Sequence, residues 1–266
     1  MLTRFIPVVS ALLVLAAAVV AWAGGPGDSG HSSQRLPDLD QEAPGDLEVT
    51  YDEARRGYYL GFRSAVRNLG RGPLIVTGRR PGRATRTMTA VQVIERPGAP
   101  HAVVEGVGRL RYVRSQDHEH WHYLGFERYE LRRATGRATL VRDRKTGFCL
   151  GDRYGVRGRE LRARPPSPVY TGRCGLESTH LLTLTEGISV GYGDDYEPTL
   201  EGQALRLSGL PDGRYVLVYR VNVGRALLES DYANNASSML VELRWRGRPT
   251  VRPLRSCPQR ARCPAP

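Results

Sequence analysis

The chain has 266 residues, 40% hydrophobic and 25% charged, with a formal net charge of +12 and a pI near 10.0. It is long enough to bury a proper core as one large or two small domains. The positive charge is scattered through every segment and accompanies no nucleic-acid-binding motif, which argues against a nucleic-acid partner. It reads instead as an arginine-rich solvated surface with an attraction to anionic cell-envelope polymers.

In chain order, Arg4 precedes an apolar stretch over residues 5–22, and Ala21-Trp22-Ala23 fits a small-x-small cleavage site. We expect residues 1–23 to be a signal peptide and the protein to be secreted or extracytoplasmic. The stretch is borderline in length for a membrane span, so an uncleaved N-terminal anchor is the alternative. Residues 24–45, rich in Gly, Pro, Ser and Asp, read as a flexible spacer. Residues 46–246 then alternate between apolar strand patterns and Gly, Pro or Asp turns. Strands are expected at Gly57–Asn68, 74–76, Thr87–Ile94, 110–114, 120–132, 138–142, 204–208, 215–223 and 238–245. No segment carries a sustained helical stripe. The expected fold is all-β, a single antiparallel β-sandwich domain with long loops at residues 152–179 and 186–202. Residues 247–266 read as a Pro/Arg-rich tail.

An exported chain with four cysteines, Cys149, Cys174, Cys257 and Cys263, is expected to form disulfides. A Cys149–Cys174 bridge would be worth about 3–4 kcal/mol in the chain-entropy model, and Cys257–Cys263 would be purely local. Sequence leaves the cross-pairings open.

Two features carry chemistry. Of 39 Lys+Arg, one is lysine, Lys145. A primary amine can lose its proton and attack an electrophile, which a guanidinium effectively cannot, so Lys145 is a candidate nucleophile or cross-link donor. The bland alternative is a survivor of a bias against lysine. Three of the six histidines fall in His118-Glu119-His120-Trp121-His122. In an extended strand all three imidazoles share a face, with Trp121 on the opposite, core-facing parity. The outer pair would stand roughly 13 Å apart on a flat strand, so one shared ion requires a distortion near residues 119–121. Imidazole ligation suits copper, zinc or nickel, and copper(II) would add water or another oxygen ligand. His31 in the spacer and His101 in a Pro-flanked turn read as bystanders, and His180 is ambiguous.

Taken together these residues resemble the lysyl oxidase family over most of the mature chain. The family's H-x-H-x-H copper motif is matched by His118, His120 and His122. Its lysine, followed after two residues by Phe-Cys-Leu, is matched from Lys145 to Leu150. Its Asp-x-Tyr is matched by Asp194-Asp195-Tyr196, and its Glu-Ser-Asp-Tyr-x-Asn-Asn by Glu229 to Asn235. Gly213-Arg214-Tyr215-Val216-Leu217 and the segment from Phe62 to Gly70 match further strands of the family. The resemblance implies a copper amine oxidase whose lysine tyrosylquinone cofactor joins Lys145 to an oxidised Tyr196. It would convert primary amines, peptidyl lysine among them, to aldehydes with dioxygen, releasing hydrogen peroxide and ammonia.

The chain departs from the family in places. Asp117 stands where vertebrate members have a cysteine, which implies that Cys149 pairs with Cys174. Tyr192 and Gly202 replace the cysteines that flank the cofactor tyrosine, and Arg128 lies near the position of a further histidine of the animal enzymes.

Asp194, Asp195 and Asp143 are candidates for the catalytic base, set against a reading as turn and solvent carboxylates. The acidic run Asp194-Asp195-Tyr196-Glu197, with Glu201 beyond, suggests a pocket that draws an ammonium substrate, or else a calcium site. Tyr232, Asn234 and Asn235 read as structural. Two non-catalytic alternatives are a copper- or zinc-binding β-sandwich and an envelope-adhesive module.

Overall fold

The computed structural model describes residues 34–115, 119–143, 145, 147–200 and 202–264. Among them the chain forms strands and no helix. In chain order these are β1 (Leu39–Gln41), β2 (Gly45–Asp52), β3 (Gly57–Asn68), β4 (Leu74–Arg79), β5 (Thr87–Ile94), β6 (Ala102–Arg114), β7 (Glu119–Tyr123) and β8 (Glu127–Arg133). There follow β9 (Thr139–Arg142), β10 (Tyr154–Gly155), β11 (Thr183–Ile188), β12 (Tyr192–Tyr196), β13 (Ala204–Arg206), β14 (Gly213–Val221), β15 (Ala236–Arg246) and β16 (Arg248–Cys257).

The all-β, antiparallel expectation holds, with the strands divided among three sheets. One runs β1-β3-β12-β10, with β2 and β13 also pairing β3. The second runs β11-β4-β5-β6-β7 and the third β16-β15-β14-β8-β9. A continuous core joins all three. It draws Leu60, Phe62 and Val66 from β3, Val76, Met88 and Leu110 from the second sheet, and Tyr129, Leu131, Leu217 and Tyr219 from the third. Phe62 is its hinge point, with the Tyr129 and Tyr219 rings centred 4.8 and 5.0 Å away. Alternation along β3 explains this placement. Leu60, Phe62, Ser64 and Val66 face the core, while Arg63 and Arg67 on the other parity reach Asp195 and Asp40.

Three stretches differ from their reading as irregular chain. Leu39–Gln41, within the expected spacer, pairs antiparallel with Asn68 to Val66. The expected loop at 186–202 contains all of β12, whose Asp-rich sequence disguises a strand buried at both ends. The expected tail contains β16, paired along β15 from Arg246↔Arg248 to Ser238↔Cys257. Two prolines and three arginines hide that strand from a propensity reading. It forms because it lies at a sheet edge, where a proline costs little. The chain bends through a register shift at Leu240/Val241 to accommodate it.

The disulfides are Cys149–Cys174 and Cys257–Cys263. The first ties the Lys145–Leu150 stretch to the loop that flanks β7, where Trp121 N–H donates to Cys174 O at 2.9 Å and Glu177 N–H to Glu119 O at 2.7 Å. No described residues form a helix long and apolar enough to cross a membrane, and the expected signal peptide lies outside the described residues.

Candidate active site

Lys145, half-buried, and Tyr196, buried, lie 51 positions apart in sequence and meet at the margin of the core. The Lys145 Nζ stands 4.1 Å from the centroid of the Tyr196 ring. Tyr196 closes β12, where pairing to Ser64 of β3 turns its ring inward. Its ring packs edge-on against Phe148, centroids 5.0 Å apart, and Lys145 Nζ also lies 4.8 Å from the Phe148 ring centre. The chain beyond Tyr196 can lie flat on β3 because residue 61 is glycine. A Cβ there would stand 2.4 Å from the Pro198 carbonyl oxygen.

Gln203, fully buried, holds the lysine. Its amide nitrogen donates to Phe62 O at 2.7 Å and Tyr196 O at 3.0 Å. With both N–H groups committed, Oε1 faces Lys145 and accepts from Nζ at 2.9 Å. Burial pushes the Lys145 amine down from 10.5 to about 8, while the negative charges of Glu127, Asp194 and Asp143 pull it the other way.

The three carboxylates differ in role. The Tyr196 hydroxyl donates to Asp194 Oδ2 at 2.5 Å and lies 3.2 Å from Cys149 O. Burial raises Asp194 to about 8, offset in part by that hydrogen bond and by Arg153, whose Nε lies 3.6 Å from Oδ1. Asp194 can therefore take or give a proton near neutrality beside the phenol. Asp143, at the end of β9, accepts from the Tyr129 N–H at 3.1 Å and is raised to about 6 by burial. Glu127, on β8, is buried and accepts from Ser64 Oγ at 2.6 Å and the Tyr129 hydroxyl at 3.0 Å. Burial raises it as well.

Asp195 does not join this group. It occupies the opposite parity of β12 and bonds Arg63 at 3.3 Å, on the face that carries Arg67, Asp40 and Glu42. Glu197 is exposed, and Glu201 lies outside the described residues. The expected pocket of adjacent acids is thus divided by the strand itself, Asp194 inside and Asp195 outside, because successive side chains face opposite ways.

Of the histidine triad, His118 lies outside the described residues. His120 and His122 bring their Nε2 atoms within 2.7 Å of each other, with ring centres 4.6 Å apart. Two imidazoles bound at right angles to one ion by bonds of about 2.0 Å hold their nitrogens about 2.8 Å apart, so the described pair fits one first-row metal ion. The distortion expected for the outer pair involves His118, outside the described residues, while this inner pair converges without a bulge between residues 119 and 123. That strand pairs with β6 in unbroken register from Arg114↔Glu119 to Leu110↔Tyr123. Trp121, on the other parity, is fully buried and donates its indole N–H to Ser178 O at 3.0 Å.

The histidine strand is fastened directly to the lysine segment. Tyr123 and Phe148 exchange backbone hydrogen bonds of 2.8 and 3.0 Å. A Cβ on Gly147 would meet His122 Cβ at 2.6 Å, so only glycine lets the segment pass this close behind the imidazole. Among the other expected residues, Asn235 donates to Glu229, as Asn222 also does, and Asn234 donates to Asp38, which are structural roles. His101 and His180 are exposed.

Gln203, Glu127, Ser64 and Tyr129 escaped the sequence reading. Glu127 alone left a signal, since it shares parity with the apolar Tyr129 and Leu131. An acid on the core side of a strand demands a partner or a purpose.

A family model described as lysyl oxidase matches residues 104–252, more than half of the chain. Protein-lysine 6-oxidase of Sus scrofa is 28% identical over 134 residues, covering 49% of this chain and 45% of that protein. The Homo sapiens protein of the same name is 28% identical over 122 residues, 44% of this chain and 25% of that protein. Lysyl oxidase homolog 1 of Homo sapiens is 28% identical over 119 residues, 44% and 18%. The alignments span less than half the length of these relatives. Lys145, Tyr196, Gln203, His120 and His122 all fall inside the matched region.

Proposed function

This chain belongs to the lysyl oxidase family, and on that premise we propose that it is an exported copper amine oxidase. It would take a primary amine, dioxygen and water to an aldehyde, ammonia and hydrogen peroxide. The observation that carries this reading is the placement of the Lys145 amine 4.1 Å over the Tyr196 ring in a buried site. The amine thus rests against the ring face, so that only a small shift separates it from the roughly 3–3.5 Å at which positioned reacting atoms combine. A structural lysine is ordinarily spent on a solvated charge. This one is desolvated, oriented by Gln203 and aimed at an aromatic face.

His118, His120 and His122 would hold the copper ion. Lys145 and Tyr196 would supply the two halves of the lysine tyrosylquinone. When bound, copper and quinone provide the electron-accepting chemistry that amino-acid side chains lack. Everything else falls to the chain's own groups. Gln203 fixes Nζ. Asp194 holds the proton at the Tyr196 hydroxyl and, near its ordinary working pH, exchanges one with a bound amine. Phe148 and the surrounding tyrosines keep water from the ring. Glu127 supplies negative charge that steadies the ammonium form of Lys145. Peptidyl lysine and small amines are both substrates of the right chemistry, since each presents a primary amine on an unbranched carbon.

The test is peptide mass analysis of copper-loaded protein across Lys145 and Tyr196. A covalent link between them is expected in the wild type and none in Lys145→Arg, which keeps the charge but lacks a nucleophilic amine. Peroxide release on amine addition should vanish in the same variant. Unlinked Lys145 and Tyr196 peptides from fully copper-loaded, oxygenated protein would overturn the proposal.

A further inference from the structure

The outer face of the third sheet, turned away from the core, carries a cleft unrelated to the buried site. Its volume is about 350 Å³, and its walls include Arg128, Arg132, Arg220, Arg225 and Glu130. Arg128 and Arg220 stand directly opposite each other in the β8–β14 register. Like charges so placed destabilise a sheet. Among the described residues one carboxylate lines the cleft, and it is already used: Glu130 Oε2 accepts from Arg132 and from the Thr139 hydroxyl at 2.9 Å. Among the described residues, neither Arg128 nor Arg220 makes an ion pair. Arg220 is half-buried, and desolvation followed by the neighbouring Arg132 charge lowers its pKa.

Arg225 approaches from the third side. It sits in the turn after β14, where Arg225 N–H donates to Asn222 O at 2.9 Å. Both residues adopt left-handed backbone, φ 45° and 50°, a conformation uncommon for residues other than glycine. The Tyr232 ring, 5.1 Å from the guanidinium carbon, steadies the Arg225 side chain. Folding gains nothing from crowding these cations together, and an anion between them would remove the repulsion.

We propose that this cleft binds a tetrahedral oxyanion, a phosphate or sulfate group. Guanidinium groups reach in from β8, β14 and the turn, three directions that suit the oxygens of a tetrahedral anion better than the two oxygens of a planar carboxylate. The group can come as a free ion or as an ester on a larger molecule. Both present the same oxygens to the arginines.

Calorimetric titration of the whole protein at fixed ionic strength tests this, using inorganic phosphate, sulfate, glycerol phosphate and acetate. Saturable binding of phosphate and sulfate is expected. Arg220→Gln and, separately, Arg225→Gln should each weaken it tenfold or more. Arg220→Gln should also raise the Tm of anion-free protein by relieving the Arg128–Arg220 repulsion, which a purely structural arginine would not do. Arg225→Gln changes an exposed turn residue and leaves the strand pairing intact. Glycerol phosphate binding at least as tightly as inorganic phosphate assigns an esterified group, and weaker binding assigns the free ion. No saturable binding above matched chloride, equal binding by both variants, or acetate binding as tightly as phosphate would overturn the proposal.

Discussion

If Lys145 must be neutral to attack the oxidised Tyr196, cofactor formation carries the titration of that amine. Burial brings Lys145 from 10.5 to about 8. At pH 7 about one molecule in eleven then holds a neutral amine, against about one in three thousand for an ordinary lysine, a difference worth about 3 kcal/mol. The rate of cross-link formation should rise about fivefold from pH 7 to 8 and less than twofold from 8 to 10. An unperturbed lysine would give a rate climbing about tenfold per pH unit throughout that range. The assay is the mass of the linked peptide against time after copper(II) is added in excess, at pH 7 and above so that imidazole protonation does not limit metal loading. Glu127→Gln removes a charge that favours the ammonium form, so its plateau should begin at lower pH than that of the wild type. A rate still rising tenfold per unit between pH 8.5 and 9.5 would refute the desolvation argument.

Gln203→Leu removes the Oε1 acceptor while keeping the volume. It should slow cross-linking at least tenfold with copper content unchanged, as linked-peptide yield would report. Loss of the Cys149–Cys174 bridge in a double serine variant, closing a separation of 25 residues, should cost about 3.5 kcal/mol in denaturant unfolding. It should also loosen the strand carrying His120 and His122, lowering copper affinity in competition titrations. Glu229 is raised from 4.5 to about 7 by burial, outweighing hydrogen bonds from Asn222, Asn235 and the Leu39 N–H. A folded-state value above the unfolded one means that its stabilisation is complete below pH 4.5 and is lost as pH rises through 7, up to about 3 kcal/mol. Thermal unfolding between pH 4.5 and 8 should therefore show a shallower decline in Glu229→Gln than in the wild type.

Much of the molecule was legible beforehand because its signals are local. Lys145, His120 and His122 stand out by residue type and spacing, as does the β class, whereas only the resemblance to the lysyl oxidase family marks Tyr196. The period-2 pattern of β3 and β5 announces strands whose bounds agree with the expectation from alternation. Asp194 and Asp195 mark where local reading stopped. Their difference follows from parity alone, yet parity has meaning only in a strand, and the acidic run around Tyr196 read as a loop. Pairing with β3 is what makes it a strand, and β3 lies more than a hundred residues away. Residues 248–257 gave the same lesson in reverse, their prolines and arginines concealing a strand that exists because β15 offers it an edge.

Sequence by itself determined which atoms are present: one amine, one suitably flanked phenol, an imidazole cluster and two bridgeable cysteine pairs. Tertiary structure alone decided that the amine lies over the phenol, that Gln203 orients it and that Glu127 turns inward. It also decided the protonation behaviour of Lys145 and Asp194. Desolvation depends on which distant strands close over a side chain, and no window of neighbouring residues contains that information.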